Sequence, residues 1–394
     1  MAGTRGGRQM RRDKQLELIN RLLRYQNDGT TACAPTTWQN EMAAYADPAR
    51  LAQERELFFR RQPLPFCLSG RLPENGSYIA DHLDGLPVLV ARGRDGVVRA
   101  FMNVCRHRGA PVAEGCGKAR AFACPYHAWT YNLDGSVKGI PDSRSFDDLD
   151  RSSLGLTEIP ATEVHGMIWV GPLDRQTAAP ADPFGTLSDE IAEWNFGSYH
   201  YFDSVRMRHP MNWKLVIDTF LEGYHISALH KDTIAPLVQS NRSTFDAFGD
   251  HHRMVVPRTT FGELASQEDA ERDLISHAAV IYGLFPTCIM AIQGAANVEV
   301  WRVWPDGNDP GRSVIELVSY IPEAPKNEKQ ERFWRKNFQL AIDTVEAEDF
   351  VLGKAIQANA QSGVQDRVVY GMNEPAMTHY HTRIRANLGL NTAL

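Results

Sequence analysis

The chain lacks most of what would set it apart from an ordinary globular protein. No stretch approaches the roughly 18 apolar residues of a membrane span, and no membrane association is expected. Cysteine is scarce: six in 394 residues, at Cys33, Cys67, Cys105, Cys116, Cys124 and Cys288. They are too few and too scattered for a disulfide framework, so a reducing, cytoplasmic setting is expected, with thiolates free to bind metal. Positive charge is in deficit, 42 Lys and Arg against 48 Asp and Glu for a net charge of −6, which argues against bulk nucleic-acid binding. The segment Met1–Lys14 is rich in Gly and Arg but has no apolar h-region. It reads as a mobile basic arm, not a secretory signal. No G-x-G-x-x-G follows a predicted strand, so no nucleotide-binding domain of the chain's own is expected. There is no internal repeat, and no low-complexity block beyond the first residues.

At 43% hydrophobic and 23% charged, the composition is that of a soluble globular protein long enough for two domains. Asp13–Tyr25 and Asp47–Arg61 carry helical periodicity. From about Pro63 to Val164 the pattern turns to short β-like runs: Val88–Ala91, Val97–Asn103, Ala121–Cys124 and Trp129–Leu133. The pairs Asp95-Gly96 and Asp134-Gly135 beside them read as hairpin turns. Ala178–Pro183 is a Pro/Ala-rich connector. Beyond it come β-like runs at Ala279–Leu284, Val298–Trp304 and Val314–Tyr320, with helical segments around 212–229 and 326–360. The expected class is α+β. A helical section over 1–60 packs with a later domain, an all-β domain occupies 61–165, and a second domain with an antiparallel sheet fills 166–394.

Two stretches carry chemistry. In the first, Cys105-Arg106-His107 is followed by sixteen residues and then Cys124-Pro125-Tyr126-His127. Each loop mixes a thiolate with an imidazole. Two such loops at the tips of adjacent hairpins can grip a binuclear cluster from both sides, one iron taking the thiolates and the other the imidazoles, as in a Rieske centre. A structural zinc with two Cys and two His is the rival, but zinc motifs usually pair Cys with Cys and His with His. Cys116 reads as an ordinary small residue.

In the second stretch, Asn212-Trp213-Lys214 precedes Asp218, Glu222, His225 and His230. Trp213, Ile217, Phe220 and Tyr224 make a helical core face, while Asp218, Glu222 and His225 recur at i, i+4, i+7 as a polar stripe. Buried carboxylates are costly unless paired or metal-bound. His225 and His230 lie about 140° apart around a regular helix, so they reach one metal only if the helix ends or distorts between them. A lone histidine pair like this is more often a packing or hydrogen-bonding feature, but an electron donor upstream needs an acceptor. Further on, Trp334, Phe338, Ile342, Val345, Leu352 and Ile356 form an apolar stripe with Asp349 as its polar member. Asp349 is either a core-edge acid paired with a base or a metal carboxylate. Glu346 and Glu348 lie off the stripe and read as solvated.

The stretch Asn103–Ala110, the second Cys/His loop, the Asn212-Trp213-Lys214 opening and the C-terminal helix together resemble the α (oxygenase) subunits of Rieske non-haem iron ring-hydroxylating oxygenases, over nearly the whole length. The resemblance implies a Rieske [2Fe–2S] domain on Cys105, His107, Cys124 and His127. It also implies a helix-grip catalytic domain whose mononuclear Fe(II) sits on His225, His230 and Asp349, Asp349 matching the family's acidic pair at Glu348-Asp349. Electrons would come from NAD(P)H through a flavin reductase, with or without a ferredoxin. The activity implied is dioxygen activation to hydroxylate or oxidatively dealkylate an aromatic or otherwise apolar substrate; the alternative is a monooxygenase acting on a choline-, carnitine- or betaine-like quaternary amine. A Rieske electron carrier without oxygenase chemistry is a lesser alternative.

A homotrimer is implied as well, in which Glu222 links the Rieske histidine of one subunit to the iron-ligating histidine of its neighbour, the centres within one subunit being too far apart. Many members carry Asp there, and Glu is similar to members acting on quaternary amines. Glu222 and Asp218 are the candidate catalytic carboxylates. Tyr282, Phe285, Ile289, Trp301 and the loop 231–262 are candidate pocket residues, and the aromatics among them suit an apolar ligand or a cation held against ring faces. His379 and His381 resemble a structural segment and are not assigned to metal.

Overall fold

The computed structural model describes residues 10–393. The chain forms two compact units: Arg55–Pro183, and the residues up to Glu54 together with Phe184 onward. Of the basic arm expected over Met1–Lys14, the residues before Met10 lie outside the described ones; from Arg12 the chain is already helical, in Arg12–Asp28.

The unit Arg55–Pro183 is built of short antiparallel strands. Val and Leu in Leu86–Arg92 and the alternation in Ser77–Leu83, where Ile79 and Leu83 point inward, drive a five-stranded sheet. Its order is Glu158–Ile159, Val98–Met102, Leu86–Arg92, Ser77–Leu83 and Cys116–Lys118. The two Asp-Gly pairs do turn the chain: Gly96 and Gly135 take φ of 81° and 82°. A second sheet joins Ala161–Val164, Met167–Val170 and Leu64–Leu68, and a third joins Phe122–Ala123, Thr130–Tyr131 and Val137–Gly139. Met167–Val170 pairs with Leu64–Leu68. The unit therefore runs on to Pro183, past the boundary near 165 expected from composition.

In the other unit a seven-stranded antiparallel sheet holds, in spatial order, His200–His209, Ser313–Ile321, Val298–Pro305, Cys288–Ile292, Ala278–Leu284, His251–Pro257 and Thr244–Phe248. Part of the segment 231–262 expected as a loop is thus two paired strands. The N-terminal section joins this unit, with Trp38–Glu41 pairing against Arg367–Tyr370. The expected α+β class, a small all-β domain beside an antiparallel sheet with helices, is what forms.

Both long helices expected in this unit are interrupted. The segment around 212–229 is two short helices, Trp213–Asp218 and Ile226–Leu229. The segment 326–360 is Glu328–Thr344 and Phe350–Ser362, joined by a widened π turn at Val345–Asp349. That extra residue rotates the following helix by about 100°. Phe350, Gly353, Gln357 and Ala360 are therefore buried, and Leu352 and Ile356, expected in the core stripe, are 49% and 40% exposed.

The Asn212-Trp213-Lys214 signature anchors the first short helix. Asn212 caps it, its side chain accepting from the Lys214 backbone N–H at 2.9 Å while its amide donates to the carbonyls of Tyr45 and Pro310. Lys214 and Glu54 are fully buried, and the ammonium donates to both carboxylate oxygens at 2.8 and 2.6 Å. The Trp213 indole donates to the same carboxylate at 3.0 Å. Burial lowers the pKa of Lys214, and the charge of Glu54 opposes that shift. Replacing Glu54 with Ala strands a buried ammonium. The expected loss is about 3–5 kcal/mol of unfolding free energy by urea titration, and a smaller loss for Glu54→Gln. A change within about 0.5 kcal/mol for Glu54→Ala would show that the pair does not hold this junction.

Candidate metal centres

Two loops of the Arg55–Pro183 unit share one backbone plan. The amide of Cys105 donates to the carbonyl of Ala110, and that of Gly109 to the carbonyl of Cys105; Cys124 with Trp129, and Ala128 with Cys124, repeat both bonds. The fourth residue after each cysteine is left-handed, Gly109 at φ 82° and Ala128 at φ 59°. This folds each loop back so that thiol and imidazole leave it together. Cys105 and Cys124 are buried, and the His107 and His127 rings lie 4.5 Å apart. Trp129 stacks on His107 at 5.1 Å. Tyr131 bridges to the loop, its hydroxyl 3.2 Å from Cys105 Sγ and accepting from the Arg106 amide at 2.9 Å. His107 Nδ1 is buried with no hydrogen-bond partner. Desolvation, helped by the charges of His127 and Arg108, lowers its pKa, which favours the neutral ring that a metal needs. Two buried thiols and two imidazoles, one with an orphaned nitrogen, fit a [2Fe–2S] cluster of mixed ligation. Cys116 is exposed on its own strand.

The second centre lies in the sheet-bearing unit. His225 Nε2 is 3.2 Å from His230 Nε2 and 3.7 Å from Asp349 Oδ1, and His230 Nε2 is 3.3 Å from that same oxygen. Ligands held about 2.1 Å from one ion sit roughly 3 to 3.6 Å from each other, so the three atoms lie at close to the spacing of a single metal site. The helix break makes this possible: His225 precedes the short helix Ile226–Leu229 and His230 ends it. The π turn brings Asp349, 7% exposed, to the same point.

The other nitrogen of each histidine is held by a carboxylate. His225 Nδ1 bonds Glu222 Oε1, and Glu222 Oε2 accepts from the backbone N–H groups of Tyr224 and His225. His230 Nδ1 bonds Glu348, which also accepts from the Thr233 hydroxyl at 2.8 Å. Burial disfavours the His230 imidazolium, but Asp349 and Glu348 outweigh it and raise its pKa, so a metal there competes with a proton.

Glu348 is therefore not solvated as expected but orients a candidate ligand, and Glu346 meets His209 at 2.9 Å. Helical spacing could not show this, because the widened turn lets neighbouring residues face inward together. Asp218 stands apart from the triad. Its carboxylate accepts from the Tyr45 hydroxyl at 2.7 Å and from His381 Nε2 at 2.8 Å. The i, i+4, i+7 stripe fails because the helix ends at Asp218.

A cavity of about 450 Å³ opens onto His225, His230, Asp349 and Glu222. Trp301 and Phe220 line it, their rings 5.1 Å apart. Tyr282, Phe285 and Ile289 do not. Tyr282 lies on the opposite sheet face from its neighbour Ile281, which does line the cavity, and bonds Glu190 and Trp194 instead. Phe285 and Ile289 border a separate, narrow cleft beside His252 and Tyr380.

Residues 62–159 match the Rieske [2Fe-2S] domain family, and residues 196–390 match the family described as ring hydroxylating alpha subunit (catalytic domain). The chain belongs to the α (oxygenase) subunits of the Rieske non-haem iron oxygenases. It is 32% identical over 196 residues to a glycine betaine monooxygenase oxygenase subunit of Chromohalobacter salexigens, a match covering 50% of this chain and 44% of that one. It is 28% identical over 364 residues to the chloroplastic choline monooxygenase of Beta vulgaris, covering 90% and 76%. Its fold is like that of the quaternary ammonium monooxygenase CntA in complex with L-carnitine, with a TM-score of 0.76 at 19% identity over 89% of this chain and 95% of that one. A naphthalene 1,2-dioxygenase bound to phenanthrene shares the fold at a TM-score of 0.71 and 18% identity, over 94% and 96%.

The two centres predict separable losses. Anaerobically prepared protein should carry acid-labile sulfide and give a Rieske-type EPR signal once reduced; stoichiometric zinc without sulfide would exclude the cluster. Asp349→Ala should remove about one iron per chain and leave that EPR signal unchanged. Unchanged iron content would place the carboxylate ligand elsewhere.

Proposed function

We propose that the chain is the terminal oxygenase component of a multicomponent Rieske oxygenase. Its reducing equivalents would come from NAD(P)H through a separate flavin reductase, directly or via a ferredoxin. The observation that carries this reading is the convergence of two imidazoles and one carboxylate at the floor of a cavity, in a chain that also has a Rieske domain. Iron(II) on His225, His230 and Asp349 would supply dioxygen activation with positions left open towards the substrate. The chain's own residues fix the rest. Glu222 and Glu348 hold both rings with Nε2 facing the third ligand, and Leu, Ile and Met side chains give the cavity much of its apolar wall.

Glu222 is assigned the link for the incoming electron. In a head-to-tail homotrimer it would join His225 to the Rieske histidine of a neighbouring subunit. No helix among the described residues is long and apolar enough to cross a membrane, and a cytoplasmic setting is part of the proposal.

For the substrate, an ammonium-bearing compound is placed ahead of a purely apolar one. Glycine betaine, choline and carnitine name the relatives above, and the cavity carries a carboxylate, Glu299, on the same strand as Trp301. Monooxygenation, by hydroxylation or oxidative dealkylation, is the reaction that fits this class. A purely apolar aromatic is the second reading, favoured by the aliphatic cavity walls.

The test is oxygen uptake with NAD(P)H, a surrogate reductase and a panel of quaternary amines and aromatics, with products identified by mass spectrometry. Glu222→Gln should retain iron, accept an electron at the cluster and reoxidise that cluster about 100-fold more slowly or worse in single turnover. Glu222→Asp should be milder. Reoxidation of Glu222→Gln at the wild-type rate would remove Glu222 from the electron path.

A further inference from the structure

One wall of the cavity follows a row of paired residues across four strands: Met254 opposite Ile281, Ile281 opposite Ala291, and Ala291 opposite Glu299. Residues paired directly across an antiparallel sheet face the same way, so Glu299 projects from an otherwise apolar row. Small side chains stand near it, Ala291 opposite it in the row and Ala279 on the cavity lining. Trp301, two residues along the strand, shares its face and brings its contact with Phe220.

Glu299 has two neutral polar partners, Gln293 Nε2 at 3.3 Å from Oε2 and the Trp301 indole, and among the described residues no Lys, Arg or His lies within ion-pair distance of it. Burial pushes its pKa up to about 7. Two neutral donors do not offset the charge of a carboxylate in a largely apolar cavity, which stays costly unless something brings it a positive charge.

The same cavity holds an opposite charge that is equally unanswered. Arg258 lines it, follows the strand His251–Pro257, and packs its guanidinium over Gly294, where a Cβ would come within 3.0 Å of it. Its Nε is buried without a partner, and no carboxylate among the described residues pairs with it. Gln293, which holds Glu299, is the residue before Gly294, so both charges belong to one end of the cavity. They do not satisfy each other.

We infer that the cavity selects a zwitterion, an ammonium group held by Glu299 against the Trp301 and Phe220 ring faces and a carboxylate held by Arg258. This rests on the reading of that cavity as the substrate site. It separates ammonium carboxylates from amines that carry only the cation. Glu299 and Arg258 are then specificity residues, remote from the bond that reacts. Cation–π contact and charge pairing make each end worth about tenfold or more in affinity.

The experiment is a binding titration of the metal-loaded protein by isothermal calorimetry. The probes are trimethylammonio carboxylates of increasing chain length, an alkyl trimethylammonium lacking the carboxylate, and a carboxylate in which a tert-butyl group replaces the ammonium. Wild type should prefer one chain length of the zwitterion over both single-charge probes by at least about tenfold. Glu299→Gln should erase the preference over the tert-butyl analogue and keep that over the alkyl ammonium; Arg258→Met should do the reverse. Unchanged thermal midpoints and cluster spectra report that both variants fold. Equal binding of all three probes by wild type, or preferences unmoved by both substitutions, would overturn the inference. Oxygen uptake with an uncharged aromatic and none with the zwitterion would also overturn it, while leaving the oxygenase reading intact. Selective zwitterion binding with no oxygen uptake would support it and overturn the oxygenase reading instead.

Discussion

Three donor atoms, those of His225, His230 and Asp349, meet within 3.7 Å of one another, and the sheet-bearing unit is arranged around that convergence. Two imidazoles and a carboxylate do not stay together by themselves, since each would find water or a nearer partner. Here each imidazole is pinned from behind by its own glutamate, Glu222 for His225 and Glu348 for His230. A ring held at Nδ1 presents Nε2 in one direction, so the site is shaped before any metal arrives. The cost is local backbone regularity. One helix stops at Asp218 so that His225 can begin another, and a π turn interrupts the long C-terminal helix to bring Asp349 inward.

Those interruptions are affordable because other buried polar groups fix their ends. Glu54, Lys214 and Trp213 tie the N-terminal section to the first short helix. At its far end Asp218 collects the Tyr45 hydroxyl and His381. Burial and the charge of Asp218 hold the Tyr45 phenol well above its usual range, so it stays protonated and donates. Tyr370 extends the chain of hydroxyls, 2.9 Å from Tyr45. A fully satisfied network of this kind rigidifies the segment leading into the site. Asp218 thereby acts on the site through position.

The sheet contributes the other half of the site. Its alternation sends Ile281, Glu299 and Trp301 to the cavity and Tyr282 to the opposite side, where Tyr282 joins Glu190 and Trp194. One register therefore decides both which aromatics a substrate meets and which stabilise the core. The charged pair Arg302 and Glu316, directly opposite each other on adjacent strands and bonded, shows how the sheet normally treats buried charge. Glu299 and Arg258 are left without such answers.

The grouping of the candidate ligands was legible in the sequence, because metal chemistry restricts such residue types so tightly. Two mixed Cys/His loops admit few clusters, and two later histidines with an acid in an apolar stripe admit few metals. The α+β class and most strands were legible for a similar reason, since β-branched runs and Asp-Gly turns act locally. Tertiary structure alone decided the rest. The stripe through Leu352 and Ile356 assumed an unbroken helix, and one inserted residue turned those side chains to solvent while bringing Glu348 to His230. Asp218 matched the spacing of a site residue, yet the helix end sent it to Tyr45 and His381. Arg258 and Glu299 lie 41 positions apart with no motif between them, and only the pairing of four strands put both charges on one cavity. Local spacing determines which residues can serve; where the backbone breaks period, and which strand lies beside which, is settled by packing across the whole unit.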